Sequence, residues 1–334
     1  MRFIVHADVL NSDDTVLTLL DRLVDRLADG VLRVEVPDAD LLQESSWYQN
    51  ARTTRRKVLT SALATPPRIA QSERGPHLRS VDLLDLDSAK LADRLAHTPF
   101  RVLVEDRESD GVLLDILVEE LGWPELQEYW SRAREITPRA TEIVTAGGKD
   151  SIPGRIERMI RDAEEENRPP RLFVLCDSDA RWPGDSSEDF QRTILAVRQA
   201  CAKHGVPHHI WQKRASENYI PDQVFEAGRD QPYNSGNTAR FNAFLGRSRE
   251  QKDYFPIKDG LQEGERNLAT VAGLYQPAEE SELELLETRL FPKRPRLLRR
   301  LNEELRSAFT AEGLRLRDGN GELDDLLATI SLEL

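Results

Sequence analysis

A chain of 334 residues is long for one compact unit, so two or three units sharing or dividing a core are expected. Hydrophobic residues make up 39% and charged residues 31%, which excludes a disordered or fibrous chain. The net charge of -13 argues against a protein that coats nucleic acid without selectivity, yet nine Lys or Arg against three acids between Arg289 and Arg317 form a basic strip able to dock a polyanion. Cys176 and Cys201 are too few for a disulfide framework, and neither has Cys or His at zinc spacing. With no apolar run of membrane-spanning length and no signal-peptide cleavage pattern, the expectation is a cytoplasmic protein with no membrane partner.

The first hundred residues read as a small α/β unit. "RFIVHADV" is a strand, "DDTVLTLLDRLVDRLADG" an amphipathic helix closed by Gly30, and "VLRVEV" a second strand. Within that helix Val16, Leu19, Leu20, Leu23 and Leu27 recur at helical spacing and should face a core. The Pro- and Gly-punctuated stretch 64–77 is a surface loop, and a unit boundary falls near Thr98 and Pro99.

A strand–helix alternation follows: strand 100–105, helix 110–122, strand 141–148, helix 152–167, strand 171–177, helix 188–205 and strand 207–212. That rhythm implies a parallel sheet with helices on its faces and chemistry at the carboxyl ends of its strands. After residue 225 the pattern weakens, with a polar loop over 228–242 followed by "YFPIKDGL", and from Pro277 it is helical. The division is 1–98, an α/β unit; 99–225, the catalytic sheet; and 226–334, a mainly helical region.

Glu105, Gly147 with Gly148, and Asp177 with Asp179 all fall at predicted strand ends. Asp177 and Asp179 are two apart, so in an extended segment both carboxylates point the same way and need a compensating charge. A divalent cation that prefers oxygen, Mg²⁺ or Mn²⁺, answers that need. Glu105 adds a third oxygen ligand or a general base, and Asp110 a fourth ligand. Alone, a D-x-D equally caps the next turn and "GGKD" is only a turn; their arrival together at three strand ends is what points to a site.

In order, "RVLVEDRESDGVLLDIL", "IVTAGGKDSIPGRI", "RLFVLCDSDAR" and "KRASENYIPDQVF" resemble the Toprim domain of topoisomerases, primases and related nucleases. They are most similar to the branch found in OLD-type (overcoming lysogenization defect) nucleases, over about residues 99 to 225. Glu105, Asp177 and Asp179 match the hallmark acids, Asp110 the second acid of the OLD-like branch, and Arg214, Glu217 and Asn218 its later Arg-x-x-Glu-Asn. Asp106 stands where the family often has Gly. The acid pair is spaced by five rather than four, which leaves Glu108 as the alternative to Asp110. There is no G-x-x-x-x-G-K-[ST] loop, so the ATPase half of full-length OLD proteins is absent and a separate ATPase or sensor chain is a candidate partner, as is a second copy of this chain.

The resemblance implies hydrolysis of phosphodiester bonds in DNA or RNA with two ions roughly 3.5–4 Å apart. Glu105, Asp177 and Asp179 would hold the first ion, and Asp110 and Glu217 the second. Lys213, Arg214 or Lys258 would contact the scissile phosphate, with Gly147, Gly148 and Arg214 assigned to substrate binding. An effector role in bacterial antiphage defence follows from the same resemblance. The rivals are primase-like nucleotidyl transfer and a non-catalytic interaction subunit of a larger complex. His208 and His209 alternate along a strand and cannot serve one site, Cys176 reads as core, and the basic stretches 52–57 and 293–300 read as solvated faces, with a nucleic-acid clamp as the alternative.

Overall fold

Parallel strand pairing organises both halves of the chain. The computed structural model describes residues 1–64, 80–276, 278–291 and 297–334. In the first sheet β1 (Arg2–Val5) lies between β2 (Arg33–Glu35) and β3 (Ser80–Leu83), all parallel. The helix Asp14–Ala28 starts where the Asp13 carboxylate accepts the amides of Thr15 and Val16, and Gly30 at φ +75° turns the chain after it. Its Val16, Leu20, Leu23 and Leu27 are buried as their spacing predicts, and Leu19 packs beside them. The first strand stops at Val5, because His6 opens the short helix Ala7–Leu10. Most of the expected surface loop, 65–77, lies outside the described residues.

The second sheet runs β4 (Phe100–Val104), β5 (Thr141–Thr145), β6 (Leu172–Cys176) and β7 (His208–Ile210), in the spatial order β5-β4-β6-β7. Alternation sorts its side chains between two cores. Val102, Val104, Phe173 and Leu175 face one, with the helix Val112–Leu121; Leu103, Val174 and Cys176 face the other, with the helices Ile152–Glu165 and Glu188–His204. The helix after β4 therefore covers one face and the helix after β6 the opposite face. Between those two adjacent strands the winding reverses, which opens a crevice at their carboxyl ends.

Several elements have no counterpart in the sequence reading, and two of them flank the second sheet. Arg107–Gly111 forms a single π turn ahead of the helix Val112–Leu121, and the helix Pro124–Glu135 ties the cores together through Trp130 on one side and Ala133 on the other. The polar stretch 228–242, expected as a loop, ends inside the helix Thr238–Leu245, which forms because Phe241 and Phe244 lie on one face and are fully buried. Phe225, Phe244, Phe255, Leu301 and Ile330 join the same core as Val102 and Phe173, so residues 226–334 add a helical layer to the sheet instead of building a core of their own.

Of the basic strip, residues 293–296 lie outside the described residues; Arg299 pairs with Glu108 and Glu303, and Arg300 with Glu304. In the other basic stretch Arg55 pairs with Asp21 and Asp25. Among the described residues no helix is long and apolar enough to cross a membrane.

The last helix, Glu322–Glu333, is anchored to the sheet by one carboxylate. Glu322 is 3% exposed and accepts the Gln212 amide at 2.9 Å, His209 Nε2 at 2.7 Å and the Tyr219 hydroxyl. Removing it strands the buried Tyr219 hydroxyl and the part-buried donors of His209 and Gln212, so Glu322→Ala should cost about 3 kcal/mol of stability, read as a lower urea midpoint with an unchanged slope. A loss below about 0.5 kcal/mol would show that this node does not hold the layer in place.

Candidate functional site

The crevice collects acids because β4 and β6 pair in register, Val102 beside Phe173, and each strand ends in a carboxylate residue. Glu105 follows β4 and Asp177 follows β6, and the Asp177 amide donates to Glu105 Oε1 at 3.0 Å. Asp177 Oδ1 in turn accepts the Ser216 amide at 2.8 Å, while the Ser216 hydroxyl donates to Asp110 Oδ1 at 2.8 Å. The π turn carries Asp110 into this position, where its Oδ2 accepts the Asp106 amide at 3.0 Å. Glu217 follows Ser216 in the short 3₁₀ turn Ser216–Tyr219, and its Oε1 lies 2.8 Å from Lys258 Nζ.

Of the two acids left open after Glu105, Asp110 is buried in the cluster, whereas Glu108 points outward to Arg299 at 3.1 Å. Gly147 and Gly148 have φ of +81° and +121°, which favour glycine, and a Cβ at either would meet nothing within 4 Å. The Gly147 amide and the Thr145 hydroxyl both donate to the Glu105 carbonyl, at 3.3 and 2.8 Å, so this open turn is fastened to the site.

The two aspartates after β6 do not point the same way. Asp179 has φ +57°, a left-handed conformation that Asp tolerates, so the segment is not extended there. Asp177 faces Asp110, Glu217 and Lys258, while Asp179, 65% exposed at its side chain, meets the Lys149 ammonium. Lys149 also lies 3.8 Å from Glu105 Oε1. The acids thus fall into two groups, Asp110–Asp177–Glu217 with Lys258 and Glu105–Asp179 with Lys149, which differs from the grouping expected from the sequence. Lys149 was passed over there; its only signal was its place in "GGKD", directly after the glycine turn.

Lys213 and Arg214 also sit differently. The buried Lys213 ammonium binds Asp253 at 2.8 Å and the Arg317 carbonyl, over the Tyr219 ring, and burial pulls its pKa down to about 8. Arg214 gives both terminal nitrogens to Glu265. It is their backbone that serves the site: the Lys213 carbonyl accepts the Ser178 hydroxyl at 2.7 Å and the Arg214 carbonyl accepts the Asp179 amide at 2.8 Å. Arg214, Glu217 and Asn218 together grip one later segment, through Glu265, Lys258, and the carbonyls of Lys252 and Phe255. That grip brings Lys258 to the acids.

Burial, then repulsion from Asp177, pushes Glu105 up to about 7. Burial and Glu217 do the same to Asp110, also to about 7, and Asp177 is raised well above the usual carboxylate range by burial, Asp110 and Glu217. Burial opposes the charge of Lys258, but Glu217 and Asp177 hold it above its ordinary value. Cys176 is fully buried with its thiol pushed up by burial, and His209 bonds Glu322 while His208 does not share that contact, as the core and opposite-face readings expected.

Five carboxyl groups face two ammonium groups here, and Glu105, Asp110 and Asp177 are raised first by burial and then by repulsion from neighbouring acids. An all-oxygen donor set of this kind suits a hard divalent cation. As arranged, though, no group of three or more Asp, Glu, His or Cys among the described residues is gathered closely enough to hold one. Lys149 and Lys258 hold Asp179 and Glu217 in the meantime. No family model matches this chain, and no curated protein or solved structure matches it significantly.

A carboxyl whose pKa is higher folded than unfolded binds its proton more tightly in the folded state. Its ionisation therefore costs stability as pH climbs from the unfolded value, about 3.9 for Asp, to the folded one. For Asp110 that window closes near its folded value of about 7. In metal-free buffer the stability of Asp110→Asn minus that of wild type should rise between about pH 4 and pH 8, followed by urea unfolding at each pH. A flat difference would mean that Asp110 carries no such cost.

Proposed function

We propose that the chain is a divalent-metal-dependent phosphodiesterase acting on DNA or RNA, of the Toprim type and nearest the OLD-like nucleases. The observation that carries this reading is the meeting of Glu105 and Asp177 at the carboxyl ends of adjacent parallel strands where the winding reverses, with Asp110, Asp179 and Glu217 around them. Such a concentration of buried, under-compensated carboxylates costs stability and is characteristic of sites that recruit a cation.

Glu105 and Asp179 on one side, and Asp110, Asp177 and Glu217 on the other, would hold Mg²⁺ or Mn²⁺. The cation would supply Lewis acidity and positive charge toward a phosphodiester. Glu105, its Oε1 taken by the Asp177 amide, keeps Oε2 as its free ligand atom toward a cation. Lys258, half-exposed beside Glu217, is suited to meet the charge of the scissile phosphate. The bare turn at Gly147 and Gly148 leaves room for a backbone to approach. A cytoplasmic antiphage effector role, with an ATPase or sensor chain as partner, belongs to the same reading.

One observation favours a second reading. Lys149 and Lys258 already serve as internal cations and no three acids are gathered for an ion, which is what a non-catalytic, ion-paired interaction subunit would display. Calorimetry with Mn²⁺ separates the two. The phosphodiesterase reading expects binding that is lost in Asp177→Asn, and Mn²⁺- or Mg²⁺-dependent cleavage of plasmid, single-stranded DNA or RNA that falls about 100-fold or more in Glu105→Gln. Equal cleavage by wild type and both variants, or no Mn²⁺ binding, would overturn it.

A further inference from the structure

Beside the acid cluster lies a cavity of about 360 Å³ that shares Lys149 and Asp179 with it and is otherwise walled by Arg181, Ser187 and Arg214 among others. Arg181 is the built feature of that wall. The chain after Asp179 folds back so that the Asp185 carboxylate, its side chain 0% exposed, accepts the Arg181 amide at 3.2 Å, Arg181 Nε at 3.1 Å and the Ser187 amide at 3.0 Å. Gly184 at φ +72° makes the reversal, and the guanidinium carbon sits 4.7 Å from the Trp182 ring centre. Pinned at Nε and packed on an indole, the guanidinium keeps its two terminal nitrogens free of any hydrogen bond among the described residues. Those are the two donors of the fork that matches a phosphate.

The remaining charges of the wall are already matched: Asp179 by Lys149, and Arg214 by Glu265 behind it. The Ser187 hydroxyl is buried but makes no capping bond to the helix it precedes, Glu188–His204. An anion entering the cavity therefore meets one prearranged cation with open donors, next to the place where the proposed cleavage occurs.

We propose that this cavity is a phosphate subsite for the nucleic-acid backbone flanking the scissile bond, with Arg181 as its bidentate contact and Asp185 and Trp182 as the residues that position it. The assignment rests on the phosphodiesterase reading. It gives Arg181 the backbone contact that the sequence pattern had assigned to Arg214.

The test uses the full chain and a short fluorescent single-stranded oligonucleotide, with binding measured in Ca²⁺ across a salt series and cleavage in Mn²⁺. Arg181→Ala should weaken binding about tenfold, reduce the slope of log K against log salt by about 0.7, and raise KM with kcat little changed. Arg181→Lys keeps the charge but not the fork, so it should restore the salt slope and only part of the affinity. If wild type cleaves and Arg181→Ala matches it in affinity, slope and KM, the subsite is wrong while the phosphodiesterase reading stands. If wild type binds with the Arg181-dependent slope but cleaves nothing, the subsite stands and the catalytic reading falls. Failure of wild type to bind the strand removes both.

Discussion

The hydrogen bond from the Asp177 amide to the Glu105 carboxylate is the constraint on which the rest of the site depends. It exists only because β4 and β6 are direct neighbours in register although 72 residues separate the two acids in sequence. A parallel pair with a one-residue slip would exchange the faces of every side chain and send Phe173 and Leu175 into the wrong core. The buried register of the sheet thus fixes the distance between two carboxylates, and mutual repulsion cannot push them apart without disturbing both cores. The strain of like charges is met locally instead, by Ser216, by backbone amides and by two lysines.

The helical layer built from residues 226–334 is part of that solution. Its core is continuous with the sheet's, and it delivers Lys258 to Glu217, Glu265 to Arg214 and Glu322 to the end of β7. Two of these contacts, at Lys258 and Glu265, belong to the segment gripped by Arg214, Glu217 and Asn218. A motif that looks in sequence like a run of catalytic side chains behaves in three dimensions mainly as a clamp that presents a lysine from elsewhere.

Much of the architecture was legible from pattern. The alternation of strands and helices between 100 and 212 marked a parallel sheet, and the acids after β4 and β6 marked the edge where the carboxylates meet. What escaped the sequence had local physical causes. The π turn has no periodic signature, being one turn long, yet it decides that Asp110 and not Glu108 enters the crevice. The helix Thr238–Leu245 was hidden by polar residues around two phenylalanines. Lys213 and Arg214 could not be judged from their charge alone, since Asp253 and Glu265, which take those charges, are about forty and fifty residues away. Arg181 and Asp185 were in plain view four residues apart, but nothing in their spacing tells a guanidinium with free donors from one fully consumed.

The left-handed backbone at Asp179 has an evolutionary consequence. Aspartate, asparagine and glycine are the residues that accept that conformation readily, so the fold restricts this position before any chemistry does. Recurrence of Asp or Asn there among related chains would report the bend, and only a strict preference for the acid over the amide would report the carboxylate. The same logic makes alanine a blunt probe of this residue, because it removes the side chain and opposes the bend together. Asparagine keeps the bend while removing the charge and one acceptor oxygen.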